Sequence, residues 1–197
     1  NLPARFQVQY VIRPQEETLH DYRGYAGLVL SGKYKVGDDI TILPANIPTK
    51  IVRLERNLTD VNEVIAGENI VIHLADNIDI SRGDSFILAN DEVLQNNKFT
   101  SWICWLDQQN LQLGKPYILQ HRFKSTRVKI KAITQRWDVN NWEFIAADQI
   151  GLNDIAQIEI QSNQPLVYDV FTDNNQTGNA ILIDETTKNT VGALMIL

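Results

Sequence analysis

The stretch FQVQYVI at residues 6–12 alternates apolar and polar side chains, as a strand does when one of its faces is buried. NIVIHL at residues 69–74 and RVKIKAI at residues 127–133 also have a strand pattern and are rich in β-branched residues. Turn signals separate such runs at short intervals, whereas helical spacing is barely represented. We therefore predict an all-β protein built as a sandwich or a barrel, and we favour antiparallel β-barrels because they leave no exposed sheet edge.

Two barrels are expected because the chain has 197 residues, more than the roughly 100–150 residues of a typical domain. The segment at residues 89–98 is polar and carries no strand pattern, and a new apolar run begins at Phe99. We place the domain boundary in this segment, with one barrel at residues 1–94 and a second barrel at residues 95–197.

Two turns in the first barrel share a glycine followed by an acid, in VGDDI at residues 36–40 and RGDSF at residues 82–86. Glycine can adopt the positive φ that a chain reversal often needs, and an aspartate can accept hydrogen bonds from backbone amides around the corner. We therefore interpret Asp38 and Asp84 as turn residues and not as catalytic carboxylates.

Charge and cysteine content exclude several classes of function. The net charge is −6, which disfavours general binding to a phosphate backbone. Cys104 is the only cysteine, so no intrachain disulfide can form, and its apolar neighbours predict a buried, unreactive thiol. No apolar run approaches the ~20 residues of a membrane span. We expect a cytoplasmic protein that binds neither nucleic acid nor membrane.

The sequence GLVLSGKY at residues 27–34 resembles a phosphate-binding loop, but Tyr34 stands where that loop needs a Ser or Thr to bind Mg²⁺. The loop also needs a helix after it, and here the flanking residues favour strands. We interpret the segment as a hairpin turn.

No other pattern predicts catalysis. The three histidines lack metal-ligand spacing, and His73, within an apolar strand, is expected to be a half-buried, hydrogen-bonded ring. The four tryptophans are assigned to barrel-core and domain-interface packing: Trp102, Trp105, Trp137 and Trp142. We therefore predict no catalytic, cofactor-binding or metal-binding residues in this chain.

Several of these motifs resemble translation-factor GTPases. The second domain of that superfamily is matched by VGD at residues 36–38, KIVR at 50–53, AGENI at 66–70 and ISRGD at 80–84. GNAILI at residues 178–183 and TVGA at residues 190–193 look like the last strands of the third domain of elongation factor Tu. Within the superfamily, RFQVQYVIRP at residues 5–14, DYRGYAG at 21–27 and DNIDISRGD at 76–84 are similar to the large subunit of the GTP-dependent bacterial sulfate adenylyltransferase.

This resemblance implies a larger parent protein that hydrolyses GTP and works with a separate small catalytic subunit. The complex would convert ATP and sulfate to adenylyl sulfate and pyrophosphate, in sulfate assimilation. GTP and Mg²⁺ would bind in a domain N-terminal to Asn1, and the sequence leaves open whether an adenylylsulfate kinase domain follows Leu197. The isolated chain is then expected to have no cofactor and no activity of its own.

The barrels must present surfaces to the missing GTPase domain. A nucleotide-driven change in that domain affects other domains only if they bind its two conformations with different free energies. By resemblance, the candidate contacts are Arg23 and Tyr25 in one loop and Gly178 and Ala180 near the chain's end. This role predicts that Arg23 and Tyr25 are largely exposed. The alternative is that Tyr22 and Tyr25 close the mouth of the barrel.

Two other functions stay open at this point. A translation elongation factor would use the barrels to bind tRNA, and its best support is a basic strip composed of Arg122, Lys124, Arg127, Lys129 and Lys131. An unrelated ligand-binding β-protein would need a deep apolar pocket in one barrel.

Overall fold

The computed structural model describes residues 2–13 and 23–197, and every regular element in these residues is a β-strand. The all-β prediction is confirmed. The chain divides into two compact units, Asn1–Val93 and Leu94–Leu197, where the sequence predicted barrels at residues 1–94 and 95–197. Each unit has its own hydrophobic core.

Six strands of the first unit close into an antiparallel barrel in the order β4-β9-β1-β2-β8-β5, and β5 pairs back with β4. The described strands of this unit are β1 (Arg5–Ile12), β2 (Gly24–Ser31), β3 (Lys33–Lys35), β4 (Asp39–Leu43), β5 (Ile47–Arg56), β6 (Thr59–Val61), β7 (Glu63–Ile65), β8 (Asn69–Leu74) and β9 (Ser85–Leu88). Strand β6 extends the barrel sheet beside β5, while β3 and β7 form a separate two-stranded sheet.

Six strands of the second unit also close into an antiparallel barrel, in the order β11-β15-β16-β10-β14-β12, and β12 pairs back with β11. The strands of this unit are β10 (Leu94–Trp105), β11 (Pro116–His121), β12 (Lys124–Asp138), β13 (Glu143–Ile145), β14 (Ile155–Tyr168), β15 (Asn179–Asp184) and β16 (Thr190–Ile196). Strand β13 pairs with the end of β12 and forms a hairpin beside the barrel.

The predicted glycine–acid turns have the expected geometry. Gly37 and Gly83 have φ values of 94° and 90°. The carboxylate of Asp38 accepts a hydrogen bond from the amide of Lys35 at 2.7 Å, and that of Asp84 accepts one from the amide of Ser81 at 2.8 Å. Both acids therefore stabilise turns, as predicted.

The prediction of a hairpin turn at residues 27–34 is wrong in one respect. The chain does turn at Gly32, which has a φ of 65°, but β2 pairs with β1 and β8, whereas β3 pairs with β7. The turn thus directs the chain out of the barrel sheet into the small second sheet.

Two further side-chain predictions need correction. Trp105 lies in the core, with 2% of its surface exposed, but Trp142 is 79% exposed, so core packing does not explain it. Cys104 is half-exposed and not buried, because it lies on the outer face of β10, between the inward-facing Ile103 and Trp105.

Candidate interdomain contacts

Arg23 lies directly before β2 and is half-buried. Its guanidinium donates hydrogen bonds to the side-chain oxygen of Asn77 and, at 3.1 Å, to the carbonyl of Ile78. Arg23 therefore holds the loop between β8 and β9 against its own barrel. The expectation that it is largely exposed is wrong, but part of its surface stays accessible, and its contact with another domain stays a prediction.

Tyr25 lies inside the barrel, with only 1% of its surface exposed. Its hydroxyl donates to the carbonyl of Ile78 at 3.1 Å, and its ring packs edge-on against Phe86 with the centroids 5.6 Å apart. Burial raises the pKa of the Tyr25 hydroxyl. The expected exposure is wrong because Tyr25 faces inward in β2; this position agrees with the alternative role in closing the barrel. Tyr22 lies outside the described residues.

The loop that Arg23 and Tyr25 hold is also fixed at both of its ends. At its start, the Asp76 carboxylate accepts a hydrogen bond of 2.7 Å from the Thr49 hydroxyl. At its end, the amide of Gly83 donates to the carbonyl of Val8 at 2.7 Å, and the Gln7 side chain donates to the Gly83 carbonyl at 3.1 Å. The motif DNIDISRGD is therefore a structural loop anchored to β1, β2 and β5.

A buried contact between Glu55 and His73, next to this loop, was not predicted from the sequence. Glu55 is 5% exposed and contacts Arg53, and its carboxylate lies 3.4 Å from Nε2 of His73. The other ring nitrogen of His73, Nδ1, lies 3.0 Å from the carbonyl of Arg23. The hydrogen-bonded ring predicted for His73 is confirmed, although the ring is buried and not half-buried. The register of β5 against β8 brings Glu55 and His73 together, which local sequence does not reveal.

Gly178 and Ala180 are both buried in the second barrel. A Cβ atom at Gly178 would lie 2.4 Å from Cα of Phe171 and 2.6 Å from its amide nitrogen, so only glycine fits at this position. Ala180 is 6% exposed and pairs with Leu194 in β16. Both residues shape the start of β15, and their contact with a further domain stays a prediction.

A buried polar network holds the loop that leads to Gly178. His121 is 2% exposed, and its Nε2 atom lies 2.7 Å from the carbonyl of Thr177. The Thr177 hydroxyl donates to the carboxylate of Asp169, and Asn174 donates to the same carboxylate at 3.4 Å. Burial lowers the pKa of His121, which favours the neutral ring at neutral pH.

Asp184, at the end of β15, gives the second barrel a pH-dependent stability. Its carboxylate accepts hydrogen bonds from Lys115 at 2.6 Å and from the amides of Thr186 and Thr187 at 2.8 and 2.9 Å. The Lys115 ammonium and these two amides hold the pKa of Asp184 well below its usual range. The stabilisation is therefore complete above the unfolded-state pKa of about 3.9 and is lost as the pH falls below it.

We expect Asp184→Asn to reduce the dependence of the unfolding free energy on pH between about pH 2.5 and pH 6, because the variant has no carboxylate to protonate. Urea titrations of both proteins across this range measure the effect. Lys115→Met is also expected to reduce the dependence of the unfolding free energy on pH, since it removes the ammonium group that lowers the pKa of Asp184 most. If the unfolding free energy depends on pH equally in wild type and in Asp184→Asn, the stabilising role of the Asp184 carboxylate is wrong.

Residues 27–34 do not form a phosphate-binding loop. Gly27 lies within strand β2, no helix follows Lys33, and Tyr34 is fully buried with its hydroxyl 2.5 Å from the carbonyl of Phe86. Within residues 2–13 and 23–197, no three His, Cys, Asp or Glu side chains come together as a metal site. The same residues include no helix that could cross a membrane.

Comparisons with known proteins identify relatives of both barrels. A family model described as GTP-eEF1A C-terminal domain-like matches residues 98–197, just over half of the chain. Sulfate adenylyltransferase subunit 1 of Salmonella typhi is 38% identical over 194 residues, which cover 98% of this chain and 40% of the relative. The same subunit of Salmonella paratyphi B has the same identity and coverage. This chain thus spans less than half the length of these curated relatives.

Solved structures show the same fold. Crystal structures of Sup35 in complex with GDP and with GMPPNP each match with a TM-score of 0.87 and 13% identity, covering 100% of this chain and 47% of Sup35. Two closed six-stranded barrels, a matched family model and relatives that align along almost the whole chain all agree with the resemblance found in the sequence. The chain belongs to the GTP-eEF1A C-terminal domain-like family.

Proposed function

We propose that this chain provides the two barrel domains of the GTPase subunit of a sulfate adenylyltransferase. The observation that carries the proposal is 38% identity over 98% of the chain to sulfate adenylyltransferase subunit 1. The parent complex would form adenylyl sulfate and pyrophosphate from ATP and sulfate in the cytoplasm, with GTP hydrolysis driving this step of sulfate assimilation. The small subunit would carry the adenylyl transfer, and the barrels would connect it to the GTPase domain.

Reconstitution tests this function. The full-length protein is mixed with the small subunit of the sulfate adenylyltransferase from the same organism, and adenylyl sulfate formation is measured with and without GTP. We expect product formation that depends on both proteins and increases with GTP. If the purified proteins yield no adenylyl sulfate under any nucleotide condition, the proposed function is wrong.

GTP and Mg²⁺ would bind in the part of the parent that this chain does not cover, since residues 27–34, the one segment that resembles a phosphate-binding loop, do not form such a loop. Isothermal titration of the isolated chain with GTP and Mg²⁺ is therefore expected to show no binding. A micromolar affinity would contradict our interpretation of residues 27–34 as a turn between two strands.

Arg23 is the residue through which we expect the first barrel to contact the GTPase domain. Its guanidinium is half-exposed, positively charged and already oriented by Asn77 and Ile78, so little side-chain entropy is lost on contact. In the full-length complex, Arg23→Ala should lower the amount of adenylyl sulfate formed per GTP hydrolysed by about tenfold or more, as expected for the loss of a charged hydrogen bond.

The matched control for Arg23 is Arg56→Ala, which removes another partly accessible arginine of the first barrel, one that forms an ion pair with Glu68. It should leave the ratio of product to GTP hydrolysed unchanged. Thermal unfolding must show that both variants keep their folded barrels. An unchanged ratio in folded Arg23→Ala would exclude the coupling role.

The tRNA-binding alternative has less support. Two members of its basic strip are engaged within the second barrel, since Arg127 pairs with Glu185 and Arg122 donates to Gln176. The net charge of −6 opposes binding to a phosphate backbone. We propose that the barrels bind protein surfaces only; a tRNA affinity that falls steeply with salt concentration would favour the alternative.

A further inference from the structure

The outer face of the second barrel carries two neighbouring rows of mostly apolar side chains. Each row consists of residues paired across adjacent strands and is called a rung here. The first rung joins Met195 and Trp102, and the second joins Ile181, Ala193, Cys104 and Ile155. Each of these side chains is exposed or half-exposed, with Ile155 at 43% and Met195 at 39%. Gln157 and Asn179, at the two ends of the first rung, are polar but uncharged. We call these two rungs the outer apolar face.

An aromatic arm extends this face onto the β12–β13 hairpin. The ring of Trp102 stacks on Phe144 with the centroids 4.9 Å apart, and Phe144 packs against Trp137 at 4.8 Å. Trp142 packs edge-on against Trp137 at 6.2 Å and is 79% exposed. Trp142 is therefore supported by one ring, that of Trp137, which itself packs on Phe144. A tryptophan that is held in this way and stays open to solvent has the properties of an interface anchor.

Lysines lie beyond the outer apolar face on one side, separated from it by a rung that joins Thr100 and the exposed Glu159. Lys98 and Lys129 both pair with Gln161 across neighbouring strands, so all three residues lie on one rung of the sheet. This rung is four residues from Trp102 along β10, or about 13 Å at ~3.3 Å per residue. Lys98 and Lys129 are exposed, and neither contacts an acidic side chain in the part of the chain that the structure describes.

This arrangement has the composition of a protein–protein interface. The centre is uncharged and rich in aromatic residues and methionine, and charges occur only at the rim. Contiguous exposed apolar surface of this kind is uncommon on monomeric proteins and marks binding sites. The unpaired lysines also specify the partner, because acidic side chains opposite Lys98 and Lys129 would give electrostatic complementarity.

We propose that the outer apolar face binds the second protein chain of the adenylyltransferase complex, through an apolar surface that receives Trp142 and acidic side chains that face the two lysines. This inference rests on the proposed function, since the name "subunit 1" of the relatives implies another subunit. It assigns the subunit contact to the second barrel and leaves Arg23, in the first barrel, for the GTPase domain.

The test uses the full-length protein and the small subunit of the sulfate adenylyltransferase from the same organism, with affinity measured by titration calorimetry. Ile155→Glu places a charge in the centre of the face and should weaken binding more than tenfold. The matched control is Val52→Glu, on β5 of the first barrel, where valine is exposed to 47%; its affinity should equal that of wild type. Trp142→Ala should weaken binding about tenfold or more.

Charge reversal tests the rim separately. The double variant Lys98→Glu/Lys129→Glu should slow association and remove most of the salt dependence of the association rate, while Ile155→Glu should act mainly on dissociation. Thermal unfolding controls for folding. If Ile155→Glu is misfolded, the affinity of Trp142→Ala decides whether the face binds the small subunit. This variant should keep its fold because it removes an exposed side chain from a hairpin.

The outcomes separate the two proposals. If wild type does not bind the small subunit at all, the proposed function fails and this inference fails with it. If wild type binds and both Ile155→Glu and Trp142→Ala bind with wild-type affinity, only the assignment of the face is overturned. If these variants instead dissociate a homodimer and leave small-subunit affinity unchanged, the face binds a second copy of this chain, which also overturns the inference.

Discussion

Replacing Gly178 by alanine is expected to destabilise the second barrel by about 3 kcal/mol, the upper end of the range for overpacked sites. The new Cβ atom would lie within 2.4–2.9 Å of backbone atoms of Phe171 and Asn174, which cannot move aside as a flexible side chain can. The backbone movement needed to relieve this clash would also disturb two hydrogen bonds of 2.8 Å, from the Gly178 amide to the carbonyl of Asn174 and from the Ile196 amide to the carbonyl of Gly178.

Denaturant unfolding measures this loss, and Gly151→Ala is the matched control. A Cβ atom at Gly151 would meet only the Asn110 side chain, at 3.0 Å, so a cost below about 1 kcal/mol is expected. Hydrogen exchange of peptides from β15 and β16 should show the loss of protection in Gly178→Ala. Equal stability of the two variants would mean that the loop before β15 is not packed as described.

A loss of about 3–5 kcal/mol is expected for Phe86→Ala in the first barrel. Phe86 is fully buried, and its ring lies 5.3 Å from that of Phe6 and 5.6 Å from that of Tyr25. Truncation would leave a cavity between these rings in the centre of the barrel. The effect should exceed that of any exposed aromatic residue in the same unit.

Tyr10→Ala provides the control for Phe86→Ala. Tyr10 is an aromatic residue of β1 with 66% of its surface exposed, and its truncation should change the unfolding free energy by about 0.5 kcal/mol or less. Urea titration of both variants measures the difference. A cost below about 1 kcal/mol for Phe86→Ala would show that the first barrel core is not closed around this ring.

The barrels were predictable because their strands carry local signals. The alternation at residues 6–12 and the glycine–acid turns at Asp38 and Asp84 follow from backbone geometry and single-face burial, which act within a few residues. Family motifs then supported the assignment of both halves to translation-factor-like barrels. Local pattern and tertiary structure agree at the two turns. In β1, Gln7 is buried and a register shift between Val8 and Tyr10 interrupts the alternation, although the strand itself forms as predicted.

The sequence was less informative where pairing across strands decides the structure. Strand β10 begins at Leu94, within the segment that was predicted to hold the domain boundary. The sequence did not reveal this part of the strand because its first five residues are exposed on both faces and so show no alternation. Their pairing with residues 166–168 of β14 makes them a strand. The contact of Glu55 with His73 depends on register in the same way.

The candidate contact residues show a second limit. Motif resemblance selected Tyr25, Gly178 and Ala180 for an interdomain role, yet all three are buried in their own barrels. A motif marks positions where a family restricts the residue type. Packing in the core restricts the residue type as strongly as contact with a partner does. Trp142 shows the opposite error, since it was assigned with the other tryptophans to barrel-core and domain-interface packing, and only the structure shows that 79% of its surface is accessible.

The central claim is that these barrels serve a sulfate adenylyltransferase and do not merely share its fold. The most direct test replaces the matching 40% of Salmonella typhi sulfate adenylyltransferase subunit 1 with this chain and measures adenylyl sulfate formation in the presence of the other subunit. A parallel exchange uses the barrels of Sup35, which have the same fold at 13% identity. The account predicts activity with this chain and none with the Sup35 barrels; a folded chimera of this chain that forms no adenylyl sulfate would contradict it.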